Sequence, residues 1–154
     1  MFLIARASGK PRIDEYNGSG ASIETHRVAH LATADAHGRP SVIPICYAFH
    51  DAFFYSAIDD KPKTLPSARL QRIQNIRNNP NVALVIDDYS EDWDTLAYLH
   101  VRCFAEILEP GAGKEHSAAI TALRARYPQY HAMEIGLRPV IKLVPARFRF
   151  WRAR

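Results

Sequence analysis

The chain has 154 residues, and its 20 lysines and arginines exceed its 16 aspartates and glutamates to give a net charge of +4. A hydrophobic content of 47% and a charged content of 23% are typical of one globular domain and exclude a disordered chain. No apolar run approaches the ~20 residues of a transmembrane helix. The apolar start of the chain is also too short for a signal peptide. We therefore expect a cytoplasmic protein with no membrane partner.

The N-terminal segment differs in composition from the rest of the chain. Residues 7–22 are polar and rich in glycine and serine, which predicts an arm or a long loop. The predicted organisation is an arm over residues 1–22, which we expect to be poorly ordered, and one folded domain over residues 23–154.

Three strands are predicted in the first half of the chain. The first covers residues 28–34, and the second, residues 41–50, forms a hairpin with the third, residues 53–58. Pro44 interrupts the second strand because proline cannot donate to a ladder. It predicts a sheet edge, a bulge, or a place where a ligand replaces a partner strand.

The stretch after the third strand combines cations with a predicted helix start. Lys61 and Lys63 lie in a turn, Pro66 is suited to the first turn of a helix, and the helix ends before Pro80. Free N–H groups, the helix dipole and two ammonium groups together form a good phosphate site. The alternative interpretation is a solvated surface turn, the usual place for charged residues.

The second half of the chain reads as hairpins with one further helix. Residues 82–86 are a continuous apolar run, which is typical of a strand buried on both faces. An acidic loop, a long strand, a helix and a final strand with a bend at Pro145 follow, over residues 87–94, 96–108, 114–126 and 140–151. Sequential hairpins with two inserted helices predict a mainly β, α+β fold, an antiparallel barrel rather than a doubly wound sheet.

No catalytic or metal-ligating set is evident. The seven histidines lack metal-ligand spacing on any one element, so we predict no metal site and no catalytic triad. Cys46 and Cys103 both lie in apolar strand patterns, and we expect them to be reduced core residues.

Six segments occur in an order that resembles a known family. They are L-A-T-A-D-A-H-G-R-P, F-Y-S-A-I-D-D-K-P-K, R-L-Q-R-I-Q-N-I-R-N-N-P-N-V-A-L-V-I-D, D-D-Y-S-E-D-W, R-Y-P-Q-Y and P-A-R-F-R-F-W. Together they resemble the pyridoxamine 5'-phosphate oxidase-like, FMN-binding split-barrel proteins, and they look most like the probable F420-dependent oxidoreductases among them. The resemblance covers about residues 24–151.

This resemblance implies a fold, an activity and an assembly. The fold is an antiparallel split β-barrel with inserted helices, and two copies form a homodimer with the cofactor in a cleft between them. The cofactor is FMN or coenzyme F420, and the activity is transfer of a hydride or an electron pair to or from a small organic substrate. The alternative is a non-catalytic protein of the same fold that binds or carries flavin, deazaflavin or haem.

The resemblance also nominates cofactor-binding residues by position. Basic residues after the third strand would hold the phosphate, and two strands would lie along the ring. Trp93 would cover the ring, and the end of the last strand would reach the cofactor of the partner subunit. The nominated residues are Lys61, Lys63 and Arg69 for the phosphate, Ser41, Val42, Ile43, Pro44, Tyr55, Ser56 and Ala57 along the ring, and Arg147, Arg149 and Trp151 from the partner.

The basic C-terminus raises the alternative of a nucleic-acid partner. However, Arg147 and Arg149 alternate with Phe148 and Phe150, which is the pattern of a half-buried strand rather than of a solvent-facing basic run. We therefore expect no nucleic-acid partner.

A charge reversal tests the phosphate prediction. Lys63→Glu removes one charge-assisted contact worth ~1.5–3 kcal/mol and adds a repulsive charge, so cofactor affinity should fall more than about tenfold. The melting temperature should barely change, because an exposed turn lysine has little packing to lose. A variant that binds the cofactor with wild-type affinity in a fluorescence titration would place the phosphate elsewhere.

Overall fold

Seven strands form one antiparallel sheet in the computed structural model, which describes residues 23–59 and 70–153. Two α-helices and three short 3-10 turns complete these described parts of the chain. The strands are β1 (Ala29–Ala34), β2 (Pro40–Ile45), β3 (Ala48–His50), β4 (Phe53–Ala57), β5 (Asn81–Asp88), β6 (Ala97–Leu108) and β7 (Val140–Arg152). The helices are α1 (Gln71–Asn78) and α2 (Lys114–Arg126), and the turns are Trp93–Thr95, Pro128–Ala132 and Ile135–Leu137.

The strand order requires the sheet to curl. The order is β2-β1-β5-β6-β7-β4-β3, so the consecutive strands β2 and β3 lie at opposite ends of the sheet. Only Cys46 and Tyr47 connect them, so the Cα atoms of Ile45 and Ala48 are at most ~11 Å apart. A flat sheet of seven strands would separate its ends by about 29 Å. The sheet therefore curls into a barrel that is open between β2 and β4, which confirms the predicted antiparallel split barrel.

Apolar side chains fill the barrel from one face of each strand. Leu31, Phe54, Leu84, Leu99 and Leu143 are fully buried there. A second buried cluster lies under α2 against β4 and β7, and its members are Ala48, Tyr55, Ala57, Ala119, Ile120, Leu123, Tyr127, Tyr130, Ile135 and Val140. Because side chains alternate along a strand, β4 supplies one cluster from each face.

The prediction that β5 is buried on both faces is wrong for the single chain. Val82, Leu84 and Ile86 are buried, but Ala83 and Val85 on the outer face are only half-buried. The continuous apolar run therefore does not come from two covered faces within one chain. It leaves an apolar strip on the outer face of the sheet.

Pro44 lies on an edge strand, as predicted, because β2 is at one end of the strand order. The single strand predicted over residues 41–50 is two strands, since the chain leaves one end of the sheet and enters the other at Cys46 and Tyr47. The β3–β4 hairpin is confirmed. Its two turn residues, Asp51 and Ala52, both have positive φ (48° and 71°), as in a type I′ turn.

The first helix begins later than predicted. Leu70 has extended backbone (φ −62°, ψ 135°), so the helix that carries Ile73 and Ile76 starts at Gln71. Pro66 and the rest of residues 60–69 lie outside the described residues, as do residues 1–22.

The last elements match the sequence prediction. Helix α2 has the predicted bounds, and the bend of the last strand is a β-bulge at Pro145. There Arg102 pairs with Arg147 and Cys103 with Pro145, which leaves Ala146 as the extra residue. Neither described helix is long and apolar enough to cross a membrane.

Tyr127, which follows α2, stabilises the connection between β2 and β3. The Tyr127 hydroxyl accepts the backbone N–H of Tyr47 (3.1 Å). It lies 2.8 Å from the Tyr47 carbonyl and 2.7 Å from the Arg27 carbonyl, and it donates its one proton to one of them. Tyr47 is fully buried between two strands and has no ladder partner. A buried backbone group without a partner is costly, so this side chain replaces the missing ladder bonds.

Removal of that hydroxyl should destabilise the barrel joint. Tyr127→Phe leaves the buried backbone of Tyr47 unsatisfied, and we expect a loss of about 1–3 kcal/mol in the free energy of unfolding by urea denaturation. Tyr98→Phe is the control, because the Tyr98 ring is only half-buried on the outer face of β6, and it should change stability by less than about 0.5 kcal/mol. Equal losses in both variants would contradict this role for Tyr127.

Candidate functional site

A cleft lies where the barrel is open, between the free edge of β2 and the end of β4. It contains a cavity of about 330 Å³ that brings together four predicted ring contacts, Ile43, Pro44, Ser56 and Ala57. The other lining residues are Val28, Ile45, Cys46, Asp59, Arg72 and Tyr130. Apolar side chains thus form about half of the slot, with one cation and one carboxyl group in its lining.

The backbone of β2 gives the cleft a polar edge. Proline is tolerated in a strand only where its missing N–H would point away from the neighbouring strand. Pro44 pairs with His30 of β1, so its own backbone faces the free edge. Since this direction alternates along a strand, the N–H and C=O of Val42 face the same edge. A ligand in the cleft can therefore meet backbone groups that no described strand occupies.

Arg72 is the cation of the cleft. It lies in the first turn of α1 and is half-buried. Burial lowers the pKa of its guanidinium, and the nearby Asp59 carboxylate opposes that shift. Arginine nonetheless stays protonated in proteins. A partly desolvated cation at a helix N-terminus attracts an oxyanion more strongly than an exposed cation does.

A second cavity extends the cleft towards the end of α2. It has a volume of about 490 Å³ and shares Val28, Cys46, Asp59 and Tyr130 with the first. Its remaining lining residues are Arg27, Arg126, Tyr127, Pro128, Gln129 and Met133. The shared residues place the two cavities next to each other.

The two cysteines have different environments. Cys103 is a buried core residue as predicted, and burial raises the pKa of its thiol to about 12. Cys46 is only half-buried, because it lies in the connection between β2 and β3 rather than in a strand. The prediction that it is a core residue is therefore wrong, since it lines the cleft.

Several nominated side chains lie away from the cleft in a single chain. Ser41 is half-buried at its pairing with Thr33, and the Val42 side chain is 62% exposed on the outer face. Trp93, in the loop between β5 and β6, is 69% exposed. Lys61, Lys63 and Arg69 lie outside the described residues.

Arg147, Arg149 and Trp151 lie on the outer face of β7. The ring of Trp151 stacks on Tyr98, with 5.4 Å between centroids and an angle of 21° between the planes. Arg147 pairs across the ladder with Arg102. None of the three lines the described cleft, so a contact with a cofactor would require a second copy of the chain.

Tyr55 belongs to a partly buried network rather than to the cleft lining. It is 3% exposed and packs under α2. Its hydroxyl donates a hydrogen bond to the Glu115 carboxylate (3.0 Å), and Glu115 also forms an ion pair with Lys142 (2.7 Å). The ammonium of Lys142 also lies 4.3 Å from the centroid of the Phe53 ring. This network ties α2 to β4 and β7.

Sequence reasoning missed Arg72, Asp59, Cys46 and Tyr130 as lining residues. The signal for Arg72 was present, because it is the second residue of the helix that follows the cleft strand. The other three come together only through the curl of the sheet, which sequence spacing does not show. Among the described residues, no group of three or more histidines, cysteines, aspartates and glutamates could hold a metal ion.

Comparison with known proteins identifies the family of this fold. The family model described as pyridoxamine 5'-phosphate oxidase matches residues 20–152. No curated protein matches the chain. Among solved structures, a conserved hypothetical protein from Mycobacterium tuberculosis has 23% identity and a TM-score of 0.67, over 86% of this chain and 81% of that one.

Two further solved structures differ in what they bind. An F420 reductase has 24% identity and a TM-score of 0.62, over 86% of this chain and 96% of that one. HutZ, the haem storage protein from Vibrio cholerae, has 17% identity and a TM-score of 0.65, over 92% of both chains. At these identities the likenesses show the fold alone.

The Glu115 network predicts a specific acid sensitivity. The hydrogen bond from Lys142 lowers the pKa of Glu115 below its ordinary value of 4.5. Protonation therefore favours the unfolded chain, so this stabilisation is complete above the ordinary pKa and is lost as the pH falls through the folded value. Between about pH 5 and pH 3, the free energy of unfolding of Glu115→Gln, measured by urea titration, should fall less than that of the wild type. Glu109→Gln, at an exposed ion pair with Arg77, is the control, and an equal effect there would contradict the assignment.

Proposed function

Because the chain belongs to the pyridoxamine 5'-phosphate oxidase family, we propose that it binds a flavin-type cofactor, FMN or the deazaflavin F420, and acts as an oxidoreductase on a small organic substrate. The cleft at the free edge of β2 carries this proposal. Its slot of Ile43, Pro44 and Ala57 suits a flat ring, and Arg72 suits an oxyanion.

The residues of the cleft fit such a cofactor. A flat ring needs apolar walls, and β2 and β4 supply them from two sides. Its polar edge needs backbone groups, which the outer edge of β2 offers at Val42 and Pro44. The phosphate needs a cation, for which Arg72 is the described candidate. Lys61 and Lys63 remain candidates outside the described residues.

The bound cofactor supplies the hydride or electron-pair chemistry, and the protein supplies binding and orientation. The Arg72 guanidinium fixes one end of the ligand, and Ser56 places a hydroxyl in the slot. Ile43 and Ala57 exclude water from the ring. No residue of the described cleft needs to act as a nucleophile, which agrees with the lack of a triad in the sequence.

We also propose that the protein acts as a homodimer through the outer face of the sheet. The half-buried Ala83 and Val85 lie on this face together with exposed apolar side chains, and an apolar face of this kind is typical of an interface. The most exposed of these are Val42 (62%), Phe104 (46%) and Trp151 (43%). An obligate dimer should bury more than ~2,000 Å² in total, and Arg147, Arg149 and Trp151 would then reach the cleft of the partner subunit.

The second candidate function is non-catalytic binding of flavin, deazaflavin or haem. The cleft contains residue types that ligate haem iron, namely Cys46, Tyr130 and Met133. However, burial raises the pKa of the Tyr130 phenol, which disfavours the phenolate form that ligates iron. An absorption spectrum with a haem Soret band and no turnover of bound flavin would favour this candidate.

A titration with matched variants tests the cofactor proposal. The wild-type protein should bind FMN or F420 with a dissociation constant in the micromolar range or below, about 8 kcal/mol or more. Arg72→Gln should weaken FMN binding by more than about tenfold through loss of a charge-assisted contact. It should leave the affinity for riboflavin, which has no phosphate, unchanged.

The control for this titration is on the same helix. Arg77→Gln removes the same charge from the last turn of α1, where Arg77 is exposed and pairs with Glu109 (2.8 Å). It should bind FMN like the wild type. If neither FMN nor F420 binds the wild type at millimolar concentration, the proposed function is wrong.

A further inference from the structure

The segment before β1 forms part of the cleft although it is neither a helix nor a strand. This wall segment, residues 23–28, has irregular backbone and ends at Val28, which lines both cavities. Irregular backbone lacks the hydrogen bonds of a ladder or a helix, so its carbonyl groups need partners from elsewhere in the chain. The position of Val28, and with it the shape of the cleft, therefore depends on what holds this segment.

One guanidinium group binds three carbonyl groups of the wall segment. It belongs to Arg126, in the last turn of α2. It donates to the carbonyls of Ile23 (3.2 Å), Glu24 (2.9 Å) and His26. Its Nε also donates to the Tyr127 hydroxyl (3.3 Å). These contacts use four of the five N–H groups of the side chain, so it has little capacity left for a ligand.

Two aromatic rings hold this guanidinium in place. Its central carbon lies 5.1 Å from the centroid of the Tyr47 ring and 5.8 Å from that of Tyr127, distances at which a cation is attracted to a ring. Arginine suits this position because its planar fork presents several donors in fixed directions, whereas a lysine ammonium is a single point.

Other contacts anchor the wall segment independently of Arg126. Nε2 of His26 lies 2.6 Å from a carboxylate oxygen of Asp88, the last residue of β5. Ile23 is 5% exposed and packs in the core of the barrel. Loss of the Arg126 contacts should therefore loosen the wall segment without unfolding the domain.

We propose that Arg126 is a positioning residue of the cleft. It holds the wall segment so that Val28 stays at the border of the two cavities, and it acts on a bound ring through this segment rather than by direct contact. An ordered wall binds a ring more tightly than a loose one, because binding does not first have to restrict the backbone. This role rests on the proposed function only for the identity of the ligand.

Tryptic cleavage after Arg27 measures the order of the wall segment without any ligand. In the full-length, cofactor-free protein, Arg126→Gln should raise the rate of cleavage at this bond, followed by mass spectrometry, by at least about fivefold, the equivalent of releasing one ordered residue. Arg126→Lys should raise it too, because one ammonium cannot reach three carbonyls together. Wild-type cleavage rates in both variants would overturn the proposal.

Two ligands that differ only in a phosphate test how Arg126 acts on the cleft. At a temperature where the variant is folded, Arg126→Gln should weaken the binding of FMN and of riboflavin by the same factor, at least about fivefold. For F420, the phosphate-free deazaflavin takes the place of riboflavin. A loss confined to the ligand with a phosphate would identify a direct phosphate contact, and it would overturn the proposal, as would unchanged affinities for both ligands.

Ile141→Val is the matched control for stability. Ile141 is fully buried in the barrel and lines neither cavity. The variant should lower the melting temperature through lost packing, and it should keep the wild-type rate of cleavage after Arg27 and both wild-type affinities. Affinity losses equal to those of Arg126→Gln would overturn the proposal, because destabilisation alone would then explain them.

Failure of the proposed function can be distinguished from failure of this role. Faster cleavage in Arg126→Gln, with no binding of FMN or F420 by the wild type, would refute the proposed function and would support the hold of Arg126 on the wall segment. Binding of FMN by the wild type, with unchanged cleavage and unchanged affinities in Arg126→Gln, would refute the role of Arg126 alone.

Discussion

The two-residue connection between β2 and β3 is the constraint on which the rest of the structure depends. Cys46 and Tyr47 join strands at opposite ends of the sheet, so the chain can satisfy this connection only if the sheet curls until its ends approach. The curl leaves the backbone of Tyr47 between two strands with no ladder, and Tyr127 supplies the hydrogen bonds that the ladder cannot. The hydroxyl of Tyr47 in turn donates to the Ile23 carbonyl (2.7 Å). Helix α2, the joint and the start of the described chain are thus held by one buried set of contacts.

The same constraint creates the cleft. The ends of the sheet approach without pairing, so β2 keeps a free edge. Pro44 is compatible with this edge, because proline has no backbone N–H that would need a partner strand. The end of β4 and the first turn of α1 lie across the opening, which brings Ser56, Ala57 and Arg72 to one cavity. An open barrel with an apolar slot and a cation therefore results from strand order, without any dedicated catalytic motif. The outer face of the central strands remains half-exposed, and the apolar strip of β5 lies there.

Features that depend on residues close together in the chain could be predicted from the sequence, and features that depend on the curl of the sheet could not. Local patterns were sufficient for α2, for the β3–β4 hairpin, for the edge position of Pro44 and for the bulge at Pro145, because each depends on residues close in the chain. The apolar run of β5 misled the prediction of burial, because sequence does not distinguish a face covered within the chain from one left for a partner. Arg72 and Cys46 were missed as cleft residues since the curl of the sheet, a long-range property, brings them to the cavity. Tyr55 was nominated as a cleft residue but is not one. Its strand was predicted correctly, but its side chain packs against α2.

The central claim is that a cofactor occupies the opening of the barrel along the free edge of β2. Hydrogen exchange at the Val42 amide tests it most directly, because this N–H faces the edge and has no ladder partner among the described strands. Exchange should be fast in the cofactor-free protein and should slow on binding of FMN or F420, while amides of β6 in the centre of the sheet remain protected in both states. Bound cofactor with no change in exchange at Val42 would show that the ligand lies elsewhere and would contradict this account of the cleft.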